Sequence, residues 1–183
     1  MKKIGLAVAL VLACSLAAMA QAPSNPWSWQ LSAGYNTNTG WMKSGWNAST
    51  GFGYMFNDNF KLNVDLGYFE GKVKDTSIKD HVWTLMVAPE YVYKISDSDQ
   101  VYALIGAGVA RRDSKDYTFY TTLPPTPVHL ASESKFAAEA GIGYRHFFSK
   151  NVGLQLQATY THMAFKDQKL NPVDGRVGLV VRF

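Results

Sequence analysis

The chain has 183 residues, with 18 Lys and Arg against 14 Asp and Glu, a mild basic surplus that gives no basis for a nucleic-acid partner. Its length suits one domain with a real core, and nothing after residue 20 reaches the roughly 18 consecutive apolar residues a membrane-spanning helix requires. A spanning β-barrel is untouched by that test, because its strands alternate in polarity.

The first element is an export signal. Met1, Lys2 and Lys3 form a short basic start, Ile4 to Ala13 an apolar run too short to span a bilayer, and Ala18-Met19-Ala20 a small-x-small cleavage site, so residues 1–20 read as a signal peptide and residues 21–183 as one domain. Cys14 after Val11-Leu12-Ala13 loosely resembles a lipoprotein processing site. Leu12 is too large for that reading, and Cys14 lies within the apolar run. Removing residues 1–20 takes away the one cysteine and with it any disulfide.

Eight runs of period-two alternation follow, the signature of strands. Trp27, Trp29, Leu31, Ala33 and Tyr35 alternate with small or polar residues; so do Trp46, Ala48, Thr50, Phe52, Tyr54 and Phe56, and, after a tight Asn57–Asn59 turn, Phe60, Leu62, Val64, Leu66 and Tyr68. In the fourth run Trp83, Leu85, Val87, Pro89, Tyr91 and Tyr93 share one face. Pro89 removes a ladder hydrogen bond, so a bulge or local break is expected there. The fifth run is weakly apolar on both faces; Val101, Ala103, Ile105, Ala107 and Val109 are assigned outward so that Gly106 and Gly108 face the crowded interior. The sixth presents Phe136, Ala138, Ala140, Ile142 and Tyr144, the seventh Val152, Leu154, Leu156, Ala158 and Tyr160, and the last Gly175, Val177, Leu179, Val181 and Phe183.

The connections alternate in length. Short ones fall at Asn57–Asn59, Ser96–Gln100 and Ser149–Asn151, long ones at Thr37–Gly45, Gly71–Asp80, Arg112–Ser134 and Lys166–Asp174. The pattern predicts an all-β fold, an eight-stranded antiparallel up-and-down transmembrane β-barrel with short periplasmic turns, long external loops and both termini in the periplasm. Alternation alone would also suit a soluble barrel around an apolar ligand, so polarity and volume must choose the outer face. The apolar face carries no Asp, Glu, Lys or Arg although 17% of the chain is charged. The opposite face is mostly Gly, Ser, Ala, Asn, Thr and Gln, small enough for the bore of eight strands. Aromatic residues gather at both ends of the apolar face as two girdles, which places that face against outer-membrane lipid.

These residues resemble a family, the small outer-membrane barrels related to the OmpA transmembrane domain, OmpX and OmpW. Val101-Tyr102-Ala103-Leu104-Ile105-Gly106-Ala107-Gly108-Val109 looks like the glycine-rich central strand common among them. The ending with Val177, Leu179, Val181 and Phe183 is similar to the C-terminal signal that the barrel-assembly machinery recognises, which implies that machinery as a partner during biogenesis.

Eight charged residues fall on the inward face: Lys61, Asp65, Glu90, Lys94, Glu139, Arg145, Arg176 and Arg182. Opposite charges in a narrow bore should pair and hydrogen-bond to offset desolvation, making an interior polar network; the alternative is a narrow conduction path. Tyr160-Thr161-His162-Met163-Ala164 sits where outer-membrane lipid A deacylases look similar, with His followed two residues later by a nucleophilic Ser. Here that position is Ala164, which leaves the histidine no hydroxyl to activate and argues against a lipid-modifying hydrolase. His81, His129 and His146 are scattered, so no metal or cofactor is expected. In the longest loop, Tyr117–Leu123 and Val128–Leu130 flank Pro124-Pro125-Thr126-Pro127 as strand, turn, strand. Tyr117, Phe119, Tyr120 and His129 of this segment are the candidate contacts for an extracellular partner, through a hairpin that continues the fifth and sixth runs or a loop over the rim.

Overall fold

The computed structural model describes residues 24–40, 42–74, 79–113, 115–119, 126–130, 132–165 and 170–183; the expected signal peptide lies outside them. Eight strands close into an antiparallel barrel: β1 (Trp27–Thr39), β2 (Met42–Met55), β3 (Phe60–Val73), β4 (Lys79–Lys94), β5 (Asp99–Arg112), β8 (Glu133–Phe147), β9 (Val152–Met163) and β10 (Asn171–Arg182). The remaining two, β6 (Lys115–Phe119) and β7 (Thr126–Leu130), pair as a separate two-stranded sheet. β1 and β10 complete the cylinder, Trp27 N donating to Phe183 O at 3.2 Å and Phe183 N to Trp27 O at 3.0 Å. Closure leaves no edge strand in the wall, so each of its strands has a hydrogen-bonding neighbour on both sides.

Polarity is reversed relative to a water-soluble core. Ile105 is 67% exposed and Leu85 53%, whereas Arg145 is 2% and Glu90 1%. The two faces follow the alternation residue by residue. Even the weakly patterned fifth run takes the expected register, with Val101, Ala103, Ile105, Ala107 and Val109 exposed and Tyr102, Leu104 and Ala110 buried. Pro89 breaks the ladder without a bulge. Pairing to β5 lapses at Ala88 and Pro89, yet Val87↔Ala107 and Glu90↔Leu104 keep one register, and Leu62 still pairs Pro89 on the β3 side.

Small inward residues let the bore hold large ones. A Cβ on Gly143 would lie 2.3 Å from the Tyr102 ring, and one on Gly106 would lie 2.8 Å from the Glu139 side chain; glycine is what brings the opposing group across the interior.

Two expectations need correction. The connections read as long are partly strand. β1 runs to Thr39 and β2 starts at Met42, with Gly40 at φ 124° in the turn, and β3 and β4 pair as far as Lys72↔Lys79. Strands extend past the aromatic girdle because ladder bonds satisfy the backbone there as well as water does. The interior is also less uniformly polar than its small residues suggest. Near the long-loop end Met42, Phe69, Val82, Met86, Met163 and Leu170 are all at or below 2% exposure and pack as one cluster. Most of them sit just beyond the ends of the alternating runs.

Candidate functional site: the barrel interior and the long-loop end

The charged interior is built in layers. Nearest the short-turn end, Arg182 of β10 donates to Gln100 Oε1 at 2.8 Å and lies 3.6 Å over the Phe147 ring. The next layer centres on Glu90 of β4 and Arg145 of β8. Arg145 makes a two-pronged contact with the carboxylate, Nη2 to Oε2 at 2.8 Å and Nη1 to Oε1. Its Nε donates to Gln155 Oε1 at 3.3 Å, its plane lies 3.8 Å from the Tyr102 centroid, and Asn63 Nδ2 gives Glu90 a further bond at 2.8 Å. Lys61 is buried in the same region and enters no ion pair among the described residues.

A third layer lies toward the long loops. Arg176 donates from Nε to Asp174 Oδ2 at 2.5 Å, from Nη2 to Oδ1 at 3.1 Å and from Nη1 to Ser49 Oγ at 3.2 Å. Gln30 Nε2 donates to Asp65 Oδ1 at 2.6 Å, and Glu139 projects inward opposite Gly106. Above it comes the apolar cluster of Met42, Phe69, Met86 and Met163, and then the Asp80–Arg112 pair at 2.7 Å, in which Asp80 is 1% exposed.

Seven of the eight inward charges expected from the sequence therefore line the interior. Lys94 does not. It ends β4 at the short-turn rim, 44% exposed, and bonds Asp58 of the neighbouring turn at 2.7 Å; parity points it inward, but the bore has already opened to water there. The sequence reading also missed Asp174, Asp80 and Arg112. Sequence alone places Asp174 at the end of a loop, although its spacing of two from Arg176 puts both on one face once β10 is extended.

Among the described residues no serine is hydrogen-bonded to an imidazole. His162 Nδ1 lies 2.6 Å from Asn171 Oδ1, and at the short-turn rim His146 Nδ1 meets Asp99 Oδ1 at 2.9 Å while Ser96 Oγ bonds Asp99 Oδ2 at 2.6 Å. The serine thus contacts the carboxylate rather than the imidazole, so it has no base. Among the described residues no three metal-ligating side chains converge.

At the long-loop end the β6–β7 hairpin pairs Tyr117 with Val128, Asp116 with His129 and Phe119 with Thr126. The described strands are Lys115–Phe119 and Thr126–Leu130, so the second takes in Thr126 and Pro127 beyond the expected Val128–Leu130, while residues 120–123 of the expected Tyr117–Leu123 strand lie outside the described residues. It forms a sheet separate from the barrel, but its register, Lys115↔Leu130 onward, is the same as that of β5 and β8 up to Arg112↔Glu133, so it runs on in line with those two strands. Tyr120 lies outside the described residues.

Residues 6–183 match the sequence model of the outer membrane protein beta-barrel domain. The fold is similar to Neisserial surface protein A (TM-score 0.70, 16% identity, covering 86% of this chain and 97% of that one). It is similar also to Ail of Yersinia pestis in complex with the heparin analogue sucrose octasulfate (0.53, 17%, 86% and 99%) and to OprG of Pseudomonas aeruginosa (0.50, 11%, 87% and 97%). No curated protein sequence shows significant similarity to the chain.

Proposed function

Because the chain belongs to the outer membrane protein beta-barrel family, we propose that it is a non-enzymatic outer-membrane barrel that presents its long-loop end, and above all the β6–β7 hairpin, to an extracellular partner. Trp27, near the start of the described residues, and the C-terminal Phe183 lie together at the short-turn end, which this reading puts in the periplasm after removal of residues 1–20. One observation carries the reading: the bore is occupied while the long-loop end bears a two-stranded sheet that carries the β5–β8 register outward beyond the barrel wall. The Glu90–Arg145 contact and the Met42–Phe69–Met86–Met163 cluster lie in series along the axis. Neither β6 nor β7 pairs with a barrel strand, so the hairpin offers unpaired edge groups for strand addition. Val177, Leu179, Val181 and Phe183 serve in this reading as the assembly signal; Val177 and Phe183 are 57% and 55% exposed, open to a partner before lipid covers them.

Deleting residues 115–130 is the test. Whole-cell binding to host surfaces and serum proteins, with a sulfated polysaccharide as the first purified probe because the Ail structure holds a heparin analogue, should be lost while the amount of folded barrel in the outer membrane is unchanged. Undiminished binding by the deletion variant refutes the hairpin as the contact.

A further inference from the structure

Among the described residues the outer wall is uncharged between its girdles, and charges reappear beyond the girdle at the long-loop end, among them a group on β3 and β4. There Lys72 of β3 and Lys79 of β4 are directly opposed cross-strand partners, both exposed on the outward face. Like charges directly opposite one another destabilise a sheet. Lys79 is drawn aside to Glu70 at 3.0 Å, and Glu70 is further engaged by the Tyr68 hydroxyl at 3.0 Å; Lys72 makes no ion pair among the described residues. Arg111 of β5, 63% exposed and paired with Asp113 at 3.2 Å, continues the row of charged residues and lies across the ladder from Trp83.

Immediately below this row lies an apolar groove of about 330 Å³ between Trp46, Trp83, Leu31 and Leu66. Its upper edge is a packed aromatic rank: Trp46 to Tyr68 at 5.1 Å, Tyr68 to Trp83 at 4.8 Å and Tyr68 to His81 at 5.7 Å. Each occupant class can be judged against both features. A neutral lipid fills the groove and leaves the lysines opposed. A second copy of the chain brings a second lysine pair onto the first. A lipid with a phosphorylated head group satisfies both, its acyl chain in the groove and its phosphate between the two ammonium groups, just outside the girdle where head groups lie.

We infer that Lys72 and Lys79, standing over the Trp46–Trp83 groove, form a binding site for a phosphorylated lipid of the outer leaflet. The inference rests on the orientation proposed above, in which the long-loop end faces outward. That orientation is tested separately, by adding protease to intact cells and probing for cleavage in residues 115–130, so the two can fail independently.

The lipid site is tested with the full barrel in nanodiscs of phosphatidylcholine, pure or doped with bis-phosphorylated lipid A, by following the indole N–H resonances of Trp46 and Trp83. Both resonances should shift with lipid A content. Lys72→Gln with Lys79→Gln should weaken the response roughly tenfold, while Lys94→Gln at the opposite rim should leave it intact. Both lysines are exposed, so the double variant keeps its fold, which heat-modifiable gel migration verifies. Three outcomes overturn the proposal: the same spectrum in pure phosphatidylcholine, the same shifts from inorganic phosphate alone, or a full lipid A response in the double variant.

Discussion

Glu90 and Arg145 meet face to face inside the barrel although β5 stands between their strands and 55 residues separate them in the chain. The strands tilt in a closed barrel, and it is this tilt that brings inward positions of next-nearest strands to one level. Both groups are almost wholly withdrawn from water, at 1% and 2% exposure, so neither is tolerable alone.

The first prediction follows from that mutual dependence. Glu90→Gln leaves Arg145 and the nearby Lys61 without their counter-charge and should cost about 3–5 kcal/mol. Glu90→Leu with Arg145→Met, which removes both charges, should cost much less. Urea unfolding of the protein refolded in lipid vesicles measures both, and a loss in Glu90→Gln of no more than about 1 kcal/mol, the scale of an exposed pair, would contradict the assignment.

Packing between neighbouring strands gives a second. Gly143 and Tyr102 are ladder partners, and the Tyr102 ring occupies the place of the missing side chain before stacking on Arg145. Gly143→Ala forces that ring aside and should cost about 1–3 kcal/mol as overpacking. In a Tyr102→Ala background the same change should be nearly neutral. A double-mutant cycle with additive energies would show that the two do not share this space.

Particular residues show what could be read in advance. Ile105 and Gly106 took their faces from a two-residue period and a volume argument, both local, and the barrel and its outward wall follow from many such decisions. The Glu90–Arg145 contact was not legible, because membership of an inward face says nothing of level along the axis, which depends on tilt. Phe69, Val82 and Met163 were missed for another reason. They lie where the outward face changes from apolar to charged, so alternation fades there although the ladder continues. Lys94 failed in the opposite sense: its parity is inward, but at the last residue of a strand parity no longer determines access to water.

At the short-turn end, outside the span, Asp99 offers a prediction about pH. Its carboxylate accepts from His146, Ser96 and the Tyr144 hydroxyl, and these bonds, His146 first, hold it well below the usual carboxylate range. A depressed folded-state value means that whatever stability the cluster adds is present above the unfolded aspartate value and is lost only as pH falls through the lower folded one. A carboxyl ¹³C titration should therefore find Asp99 still ionised at pH values where ordinary exposed aspartates have protonated. His146→Ala should move its midpoint upward, and an unmoved midpoint would remove His146 as the cause.

The two obstructions in the bore make a prediction that neither makes alone. On the proposed plugged-barrel reading, the Glu90–Arg145 layer blocks passage sterically and by its paired charges. The Met42–Phe69–Met86–Met163 layer, nearer the long loops, blocks it by withholding any polar group that could replace an ion's hydration. Barriers in series do not substitute for one another, so opening either one should leave the other in place. Glu90→Ala with Arg145→Ala should remain silent in planar bilayers, and so should Phe69→Ala with Met86→Ala. Only the quadruple variant, provided it still migrates as a folded barrel, should give stable unitary steps. Steps from the unaltered protein would instead mean that the layers part in the membrane, and the narrow channel would replace the plugged barrel as the reading of this interior.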